Sequence, residues 1–323
     1  MMSNEIKKSW SGLFLIDKPE GLTSHDVVFK LRKILKEKQI GHTGTLDPMA
    51  TGLMLCLVGP AVKLLPYMGN ENKKYELTLK LGVVTDSWDM TGRVIKELNP
   101  ESLKLWLKKY SQNRSLVQVM ENLIGSLTGE LDLPVPMYSA KKVDGKKLYE
   151  LARSSESDDL ETFEGPKKQM RFWDLEILNW DWEQGEIRLS FWCSKGSFVR
   201  SWVYELGKKL EIGASLKVLK RLAIDNYLLG SAKSLDVVRE TIESSLSNSY
   251  LSLFELVKKF ENFEIDVTEK NKIENGLLSY AFLNRLSSLC FTSENIMLIH
   301  NNRLVAVLQI KPEIRIKRVF KED

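Results

Sequence analysis

The segment that decides the interpretation of this chain is GHTGTLDPMATG, at residues 41–52. It contains three glycines, three threonines, one histidine and one Asp-Pro pair, with little hydrophobic periodicity. Glycine permits positive φ and close approach of the backbone to a ligand, and Pro48 biases Asp47 towards an extended conformation. The segment is therefore predicted to be a stiff loop that presents the carboxylate of Asp47. The residues alone also allow a second interpretation, in which Asp47 caps a helix that begins at Pro48.

Upstream of this loop the pattern predicts a strand, a turn and a helix. Residues 12–17, GLFLID, are typical of a short buried strand, and the Lys-Pro-Glu-Gly that follows ends it. Thr23 and Asp26 have the spacing of a capping box, and apolar residues then recur at helical spacing. We therefore expect a helix to begin just after Thr23.

Downstream of the loop, two segments alternate apolar and polar residues. Residues 75–83, YELTLKLGV, place Tyr75 and three leucines on one face, which predicts a half-buried antiparallel strand. Residues 187–193, IRLSFWC, repeat the pattern and precede a helical run for which Ser197 is the predicted cap. Strands and helices mix without regular βαβ alternation, so the fold class is predicted to be α+β.

The C-terminal residues predict a small module rich in strands. Residues 296–299 and 304–310 are typical of strands, and the HNNR between them has the composition of a hairpin loop. Residues 314–320 alternate apolar and basic side chains. We expect this module to begin near residue 255.

Length and charge favour a globular protein that contacts phosphate. The 323 residues, 43% of them hydrophobic, suit one large domain plus a small one. Lys and Arg outnumber the acids by five in residues 195–221, by four in 311–321 and by three in 141–153, whereas the whole chain carries only +4. Any one block is typical of a solvated helix face, but three on one chain favour binding to a polyanion.

The three cysteines, Cys56, Cys193 and Cys290, are far apart and lack the spacing of a zinc site. They are interpreted as buried thiols in a reducing compartment. The N-terminal residues contain no apolar signal region, and no stretch approaches 18 uninterrupted apolar residues. We therefore expect a cytoplasmic protein with no membrane partner.

The loop at residues 41–52 resembles the signature of the bacterial-type tRNA pseudouridine synthase B family, a GHxGxLDPxAxGxL loop that carries a nucleophilic Asp. Other segments are similar to family motifs in the same order: LIDKPEGLTSHDVV, KKYELTLKLGVVTDSWDMTG with its T-D-x-x-D-x-x-G turn, PMYSAKKVDGKKLYELAR, CSKGSFVRSWVYELGKKL and LKRLAI. These matches span residues 12–224. A lone LDP would be weak, but several motifs in family order make coincidence an unsatisfactory explanation.

The resemblance implies a domain organisation and an activity. A pseudouridine synthase catalytic domain, with a mixed or antiparallel central sheet flanked by helices, would occupy residues 1–250 and carry a tRNA-gripping insertion near 134–165. A PUA-like RNA-binding domain would occupy residues 255–323. The activity would be isomerisation of one uridine in the T arm of tRNA by base flipping, without a cofactor or a metal.

Three residues would carry the chemistry by this resemblance. Asp47 would be the nucleophile that promotes cleavage of the C1′–N1 bond. Arg200 would pair with it and keep it ionised, since a nearby cation lowers a carboxylate pKa. Tyr75 would stack on the extruded base and take part in the late removal of the C5 proton, although its position beside apolar neighbours also suits a core residue.

Four further residues match the family's substrate-binding positions. His42 would enter the vacated base stack, Leu219 would form an apolar wall of the pocket, and Lys18 would brace its floor. Phe198 stands where the family commonly has Tyr, so a hydroxyl is lost there and any hydrogen bond it made is in doubt. We expect a modest effect.

The partner implied is tRNA, gripped at its T arm and, through the C-terminal module, on its acceptor side. No obligate protein partner is expected, and the chain is predicted to be a monomer. Three other functions fit part of the pattern: the catalytic subunit of a guide-RNA-dependent particle, a non-catalytic RNA chaperone, and a uridine-cleaving glycosidase. The tRNA-gripping segment argues against the first, the presence of Asp47, Tyr75 and Arg200 against the second, and the lack of a second loop carboxylate against the third.

Overall fold

A computed structural model describes residues 10–69, 71–139, 166–241 and 249–321, and the backbone of residues 142–143 and 146–147. The chain forms two compact units. The first comprises Met1–Asp47, Met54–Gly69 and Gly230–Asp323, and the second comprises Pro48–Leu53 and Asn70–Leu229. The predicted domain boundary at residues 250–255 stays a prediction.

The described residues contain both strands and helices. The strands are β1 (Gly12–Lys18), β2 (Ile40–His42), β3 (Thr51–Val58), β4 (Lys73–Leu81), β5 (Val83–Thr85), β6 (Val94–Glu97), β7 (Gly129–Pro134), β8 (Lys142–Val143), β9 (Lys146–Lys147), β10 (Lys167–Asp181), β11 (Glu186–Cys193), β12 (Ala214–Ile224), β13 (Tyr227–Leu228), β14 (Tyr250–Ser252), β15 (Asn262–Glu264), β16 (Asn295–His300), β17 (Arg303–Gln309) and β18 (Arg315–Val319). The α-helices are α1 (Ser24–Leu35), α2 (Pro100–Ser111), α3 (Arg114–Gly125), α4 (Val199–Lys209), α5 (Leu235–Thr241), α6 (Leu253–Val257), α7 (Val267–Glu274) and α8 (Tyr280–Ser287). Two 3₁₀ helices span Gly59–Tyr67 and Leu229–Ser231.

In the first unit, the predicted strand, turn and helix are confirmed. β1 is buried along its length and pairs antiparallel with β14. Helix α1 begins with the predicted capping box: the Asp26 N–H donates to Thr23 Oγ1 at 3.0 Å, and the Thr23 N–H donates to the Asp26 carboxylate at 2.9 Å. The helix buries its apolar stripe, which consists of Val27, Val28, Leu31 and Leu35.

The C-terminal part of the first unit is a four-stranded sheet in the order β15-β16-β17-β18, as the strand-rich pattern predicted. The β16–β17 hairpin turns at Asn301 and Asn302, which both have positive φ, as a two-residue hairpin turn requires. Helices α7 and α8 pack on this sheet around a core that includes Phe282 and Leu298. Edge strand β18 exposes Arg315, Lys317 and Arg318.

The second unit is built on a mixed sheet in the order β3-β12-β4-β11-β10-β7, which confirms the predicted α+β class. The first two residues of β3 pair parallel with β12, and the other neighbours pair antiparallel. Central strand β4 buries Tyr75, Leu77, Leu79 and Leu81 on one face. Helix α4 covers that face and inserts Trp202, which is fully buried against Phe191.

One predicted cap is wrong. Helix α4 begins at Val199 with Phe198 at the N-cap, and no side chain caps it. The Ser197 hydroxyl lies instead 3.0 Å from the hydroxyl of Ser194, because these two residues close the turn after β11. The predicted tRNA-gripping insertion near 134–165 lies outside the described residues, apart from residues 134–139 and the backbone of β8 and β9. Among the helices of the described residues, none carries the apolar run that a bilayer-spanning segment requires.

Candidate active site

The loop at residues 43–50 has an irregular conformation and leads directly into a strand. Pro48 and Met49 form a turn, and β3 begins at Thr51. No helix starts at Pro48, so the interpretation of Asp47 as a helix cap is wrong. The side chain of Asp47 is partly exposed, whereas its neighbour Leu46 is buried. The loop therefore presents the carboxylate beside a buried anchor.

Ser24, the first residue of α1, holds the chain just before Asp47. Its hydroxyl accepts the N–H of Leu46 at 2.8 Å and donates to the Leu46 carbonyl at 3.1 Å. Ser24 is 1% exposed, so these bonds are shielded from water and keep more of their strength than exposed ones. Both backbone groups of Leu46 are thereby fixed to a helix end.

The chain after Asp47 is held by β12 of the second unit. Gly52 lies in parallel register with Arg221, and the Arg221 guanidinium donates through Nε to the Leu53 carbonyl at 2.6 Å. Gly52 has φ of 101°, and a Cβ there would lie 2.3 Å from the Arg221 carbonyl oxygen. A side chain at position 52 would therefore push the loop off β12.

Tyr75 and Arg221 meet on the buried face of the central strands. The two residues are register partners on β4 and β12, and Arg221 Nη1 lies 3.5 Å from the Tyr75 hydroxyl. Arg221 is fully buried, and Tyr75 is 7% exposed. Leu219, which was predicted as a pocket wall, is buried opposite Leu77. The structure thus places an aromatic ring, an apolar side chain and a cation together.

Arg200, in the first turn of α4, is buried against the turn that follows β5. It donates to the Ser87 carbonyl at 3.0 Å and to the Tyr138 carbonyl at 3.2 Å, and its guanidinium lies 3.5 Å from the Asp89 carboxylate. The Asp89 carboxylate also accepts the Thr91 N–H at 3.0 Å. These contacts fix the guanidinium in one orientation. The predicted pairing of Arg200 with Asp47 joins residues of different units and stays a prediction.

Two other predicted residues lie in the first unit, close to the start of the loop in sequence. His42 ends β2, and its ring lies edge-on to that of His25 with 6.0 Å between the centroids. The ammonium of Lys18 is fully buried and donates to the carbonyls of Pro19 and Leu22, at 2.9 and 2.6 Å. Lys18 therefore braces the turn between β1 and α1.

Phe198, at the N-cap of α4, belongs to the second unit and is partly exposed. Its N–H donates to Met170 Sδ at 3.2 Å, and the Lys168 ammonium lies 6.0 Å from its ring centroid. The ring is therefore placed by the backbone of the turn and by β10.

A buried charged cluster lies at the start of β4. Lys73 and Glu71 form an ion pair of 3.2 Å with both side chains under 10% exposed. Burial lowers the pKa of Lys73, and burial raises the pKa of the Cys193 thiol beside it to about 12. Within the described residues, no group of three or more His, Cys, Asp or Glu side chains is close enough together to hold a metal ion.

The sequence motifs predicted most of these residues. They did not predict three residues whose side chains position the predicted ones. Ser24, Asp89 and Arg221 lie inside the segments TSHD, T-D-x-x-D and LKRLAI that carry the resemblance. The signal for Arg221 was available, because it alternates with Leu219 and Ala223 on the buried face of its strand, where a charge must find a partner. The signals for Ser24 and Asp89 were weaker, since both residue types also occur as ordinary caps and turn residues.

A protein-family model matches about half of the chain. Residues 32–199 match the TruB family pseudouridylate synthase (N terminal domain). The tRNA pseudouridine synthase B of Bdellovibrio bacteriovorus is 35% identical, and the alignment covers 98% of each chain. The tRNA pseudouridine synthase B of Bacillus cereus is 35% identical over 82% of this chain and 83% of the relative.

Solved structures with the same fold are more distant in sequence. A chain of an H/ACA ribonucleoprotein bound to a substrate RNA containing 2′-deoxyuridine is 14% identical, with a TM-score of 0.63, over 96% of this chain and 85% of that one. A chain of an archaeal box H/ACA small ribonucleoprotein is 14% identical, with a TM-score of 0.58, over 96% and 86%. At these identities the likeness concerns the fold.

Proposed function

The chain belongs to the TruB family of pseudouridylate synthases, and on that premise we propose that it isomerises one uridine in the T arm of tRNA, with Asp47 as the catalytic carboxylate. The observation that carries the proposal is the anchoring of the residue just before Asp47. Both backbone groups of Leu46 are fixed to the buried hydroxyl of Ser24 by hydrogen bonds of 2.8 and 3.1 Å. A carboxylate held in this way is positioned before substrate arrives, which lowers the cost of reaching the reactive geometry.

The reaction moves atoms within one nucleotide and exchanges no electrons with a cofactor. The C1′–N1 bond of uridine breaks, the base rotates, and a C1′–C5 bond forms while the C5 proton is lost and N1 gains one. Asp47 would act either by adding to C1′ or by removing a ribose proton to give a glycal. Both routes need an ionised carboxylate, and the buried guanidinium of Arg200 is the cation proposed to keep it so.

Tyr75 is proposed to contact the extruded base. A uridine inside folded tRNA is inaccessible until it is flipped out of its stack, so the enzyme needs a pocket with an aromatic wall. Tyr75 supplies a ring, Leu219 an apolar surface, and the Arg221 guanidinium lies 3.5 Å from the Tyr75 hydroxyl. In this proposal Arg221 fixes the hydroxyl near the site where the C5 proton leaves, while His42 fills the gap left in the RNA stack.

Recognition of the tRNA is proposed to use the C-terminal sheet as well. Exposed Arg315, Lys317 and Arg318 on edge strand β18 can neutralise phosphates without reading sequence. We assign them to the acceptor side of tRNA. The relatives that match along the chain are named for action on tRNA, which favours a stand-alone tRNA enzyme over a subunit that needs a guide RNA.

The test is incubation of the purified protein with an unmodified tRNA transcript, followed by mapping of pseudouridine at nucleotide resolution. The proposal expects one pseudouridine, in the T arm, without added RNA or protein. Product that forms only when a guide RNA is added would favour the particle subunit. Tight tRNA binding by the wild-type protein with no pseudouridine would favour the RNA chaperone.

A further inference from the structure

Helix α4 contacts the turn after β5 at two points one helical turn apart. Arg200 reaches the Ser87 carbonyl at 3.0 Å and the Asp89 carboxylate at 3.5 Å. Four residues further along the same helix, Tyr204 stacks on Trp88, with 4.3 Å between ring centroids and 13° between planes. Residues four apart lie on the same face of a helix. Helix α4 therefore contacts the consecutive residues 87, 88 and 89 through the guanidinium of Arg200 and the ring of Tyr204.

The middle residue of this turn has a conformation that its side chain disfavours. Trp88 has φ of 62°, in the left-handed region that a bulky residue seldom adopts because it strains the backbone. Trp88 is nevertheless 5% exposed and well held. Its N–H donates to the Thr85 carbonyl at 3.2 Å, and its carbonyl accepts the Leu216 N–H at 3.0 Å. Packing of the indole ring must offset the strained backbone.

The strained residue separates two of the three groups that hold Arg200, the third being the Tyr138 carbonyl. A change in φ at Trp88 would rotate the Ser87 carbonyl and the Asp89 carboxylate relative to each other, because one residue lies between them. A cavity of about 220 Å³ beside the stack, lined in part by Val84, Ile95 and Gly207, leaves room for the indole to move if Tyr204 were truncated. The stack is thus the contact that keeps the turn in its present shape.

We propose that Trp88 and Tyr204 form a positioning pair that sets the orientation of Arg200 through Ser87 and Asp89. The proposal rests on the proposed function, because it assumes that Arg200 serves the reaction of Asp47. It goes beyond the roles that the resemblance implies, since the T-D-x-x-D-x-x-G turn leaves position 88 open and the resemblance gives Tyr204 no role. The pair acts on the reaction through Arg200 and does not touch the substrate.

The test compares Tyr204→Leu with Tyr204→Phe in a single-turnover assay on unmodified tRNA, with the dissociation constant for tRNA measured separately. Tyr204→Leu removes the ring and is expected to lower the single-turnover rate constant at least tenfold, with the dissociation constant within twofold of wild type. Tyr204→Phe keeps the ring, so its single-turnover rate constant should stay close to that of wild type. Equal single-turnover rate constants for Tyr204→Leu and wild type would overturn the proposal.

A matched control uses a second stacked Trp–Tyr pair among the described residues of the same unit. Tyr110 stacks on Trp106 along α2, with 4.1 Å between centroids and 27° between planes. Tyr110→Leu makes the same change without touching the turn at residues 87–89. It should leave the rate constant within twofold of wild type. A tenfold loss in this variant as well would mean that loss of aromatic packing acts through general stability, and the proposal would fall.

A double-mutant cycle separates positioning from a structural role. If the pair acts through Asp89, then Tyr204→Leu should lower the rate much less in an Asp89→Asn background than in wild type, because the contact it maintains is already weakened. Independent, multiplicative losses would overturn the proposal. Failure of the proposed function would look different, since the wild-type protein itself would then form no pseudouridine.

Discussion

The hydroxyl of Ser24 and the backbone of Leu46 exchange two buried hydrogen bonds, one accepted from the Leu46 N–H at 2.8 Å and one donated to its carbonyl at 3.1 Å. The two residues are 22 positions apart in sequence. The bonds join the first turn of α1 to the residue before Asp47. Through these bonds the Ser24 side chain fixes the backbone immediately before Asp47.

Ser24→Ala should destabilise the protein and slow the reaction together. The Leu46 N–H would be left buried without its partner, which costs about 1–3 kcal/mol in the free energy of unfolding. Displacement of Asp47 should also lower the rate constant by about tenfold or more, because catalysis is sensitive to shifts of about 1 Å. Urea denaturation and single-turnover kinetics would measure the two effects.

Thr23→Ala is the matched control for this change. It removes the helix cap next to Ser24, which costs about 1 kcal/mol in stability, but leaves both bonds to Leu46 in place. Its rate constant should stay within twofold of wild type. If the two variants lose rate equally, the effect belongs to helix α1 and not to the anchor of the loop.

The buried thiol of Cys193 should make stability fall at alkaline pH. Burial raises the pKa of Cys193 from 9.0 to about 12, so the unfolded chain releases this proton before the native protein does. The stabilisation is complete below pH 9 and is lost as the pH rises from there to about 12, by at most about 1.4 kcal/mol per pH unit. The free energy of unfolding should therefore decrease between pH 9 and pH 11.

Cys193→Ala should flatten this decrease relative to wild type. Lys73 has a pKa lowered by burial and acts in the opposite direction, but it is present in both proteins, so the difference in slope reports the thiol together with its coulombic coupling to Lys73. The prediction that all three thiols are buried is wrong for Cys290, which is exposed, and Cys290→Ala should keep the wild-type slope. Identical slopes for the wild type and Cys193→Ala would contradict the assignment.

Phe198→Tyr should change turnover less than tenfold. The backbone at this position is held by the Phe198 N–H bond to Met170 Sδ and by the turn before α4, and neither contact needs a hydroxyl. Steady-state kinetics on tRNA would measure the change. A larger gain would mean that the missing hydroxyl has a direct role in binding or chemistry.

Charge reversal on β18 should weaken binding of whole tRNA but not of an isolated T-arm stem-loop. Replacing exposed Lys317 and Arg318 by Glu removes two phosphate-binding groups, so the slope of log affinity against log salt should decrease by about 2. Filter binding over a salt series measures both quantities. Reversal of Lys104 and Lys108, exposed on α2, provides the control. Equal losses for both RNAs would contradict an acceptor-side contact.

How much of the fold can be predicted depends on whether each sequence signal comes from residues that are neighbours along the chain. Alternation along β4, the Thr23–Asp26 capping box and the turn at Asn301 and Asn302 depend on neighbouring residues, and all three are confirmed. The cap at Ser197 was wrong because a Ser before a helix has several possible partners, and here it bonds to Ser194. The fold of the turn after β11, and not the local sequence, determines which partner Ser197 has.

In the candidate site, too, sequence motifs were predictive, whereas contacts between distant residues were not predicted. The sequence pointed to Asp47, Tyr75 and Arg200 through their resemblance to family motifs, but the residues that hold them act over long sequence separations. Arg221 lies 146 residues from Tyr75, and Ser87 lies 113 residues from Arg200. Such contacts have no local pattern in the sequence, so only the folded chain reveals them.

The most direct test of the catalytic assignment is a comparison of Asp47→Asn with wild type on unmodified tRNA. Asn has nearly the same size and shape but cannot carry the negative charge that either route requires. We expect pseudouridine formation to become undetectable while the dissociation constant for tRNA stays within about threefold of wild type, a binding difference under 1 kcal/mol. Pseudouridine formed by Asp47→Asn at a rate near that of wild type would contradict the central claim.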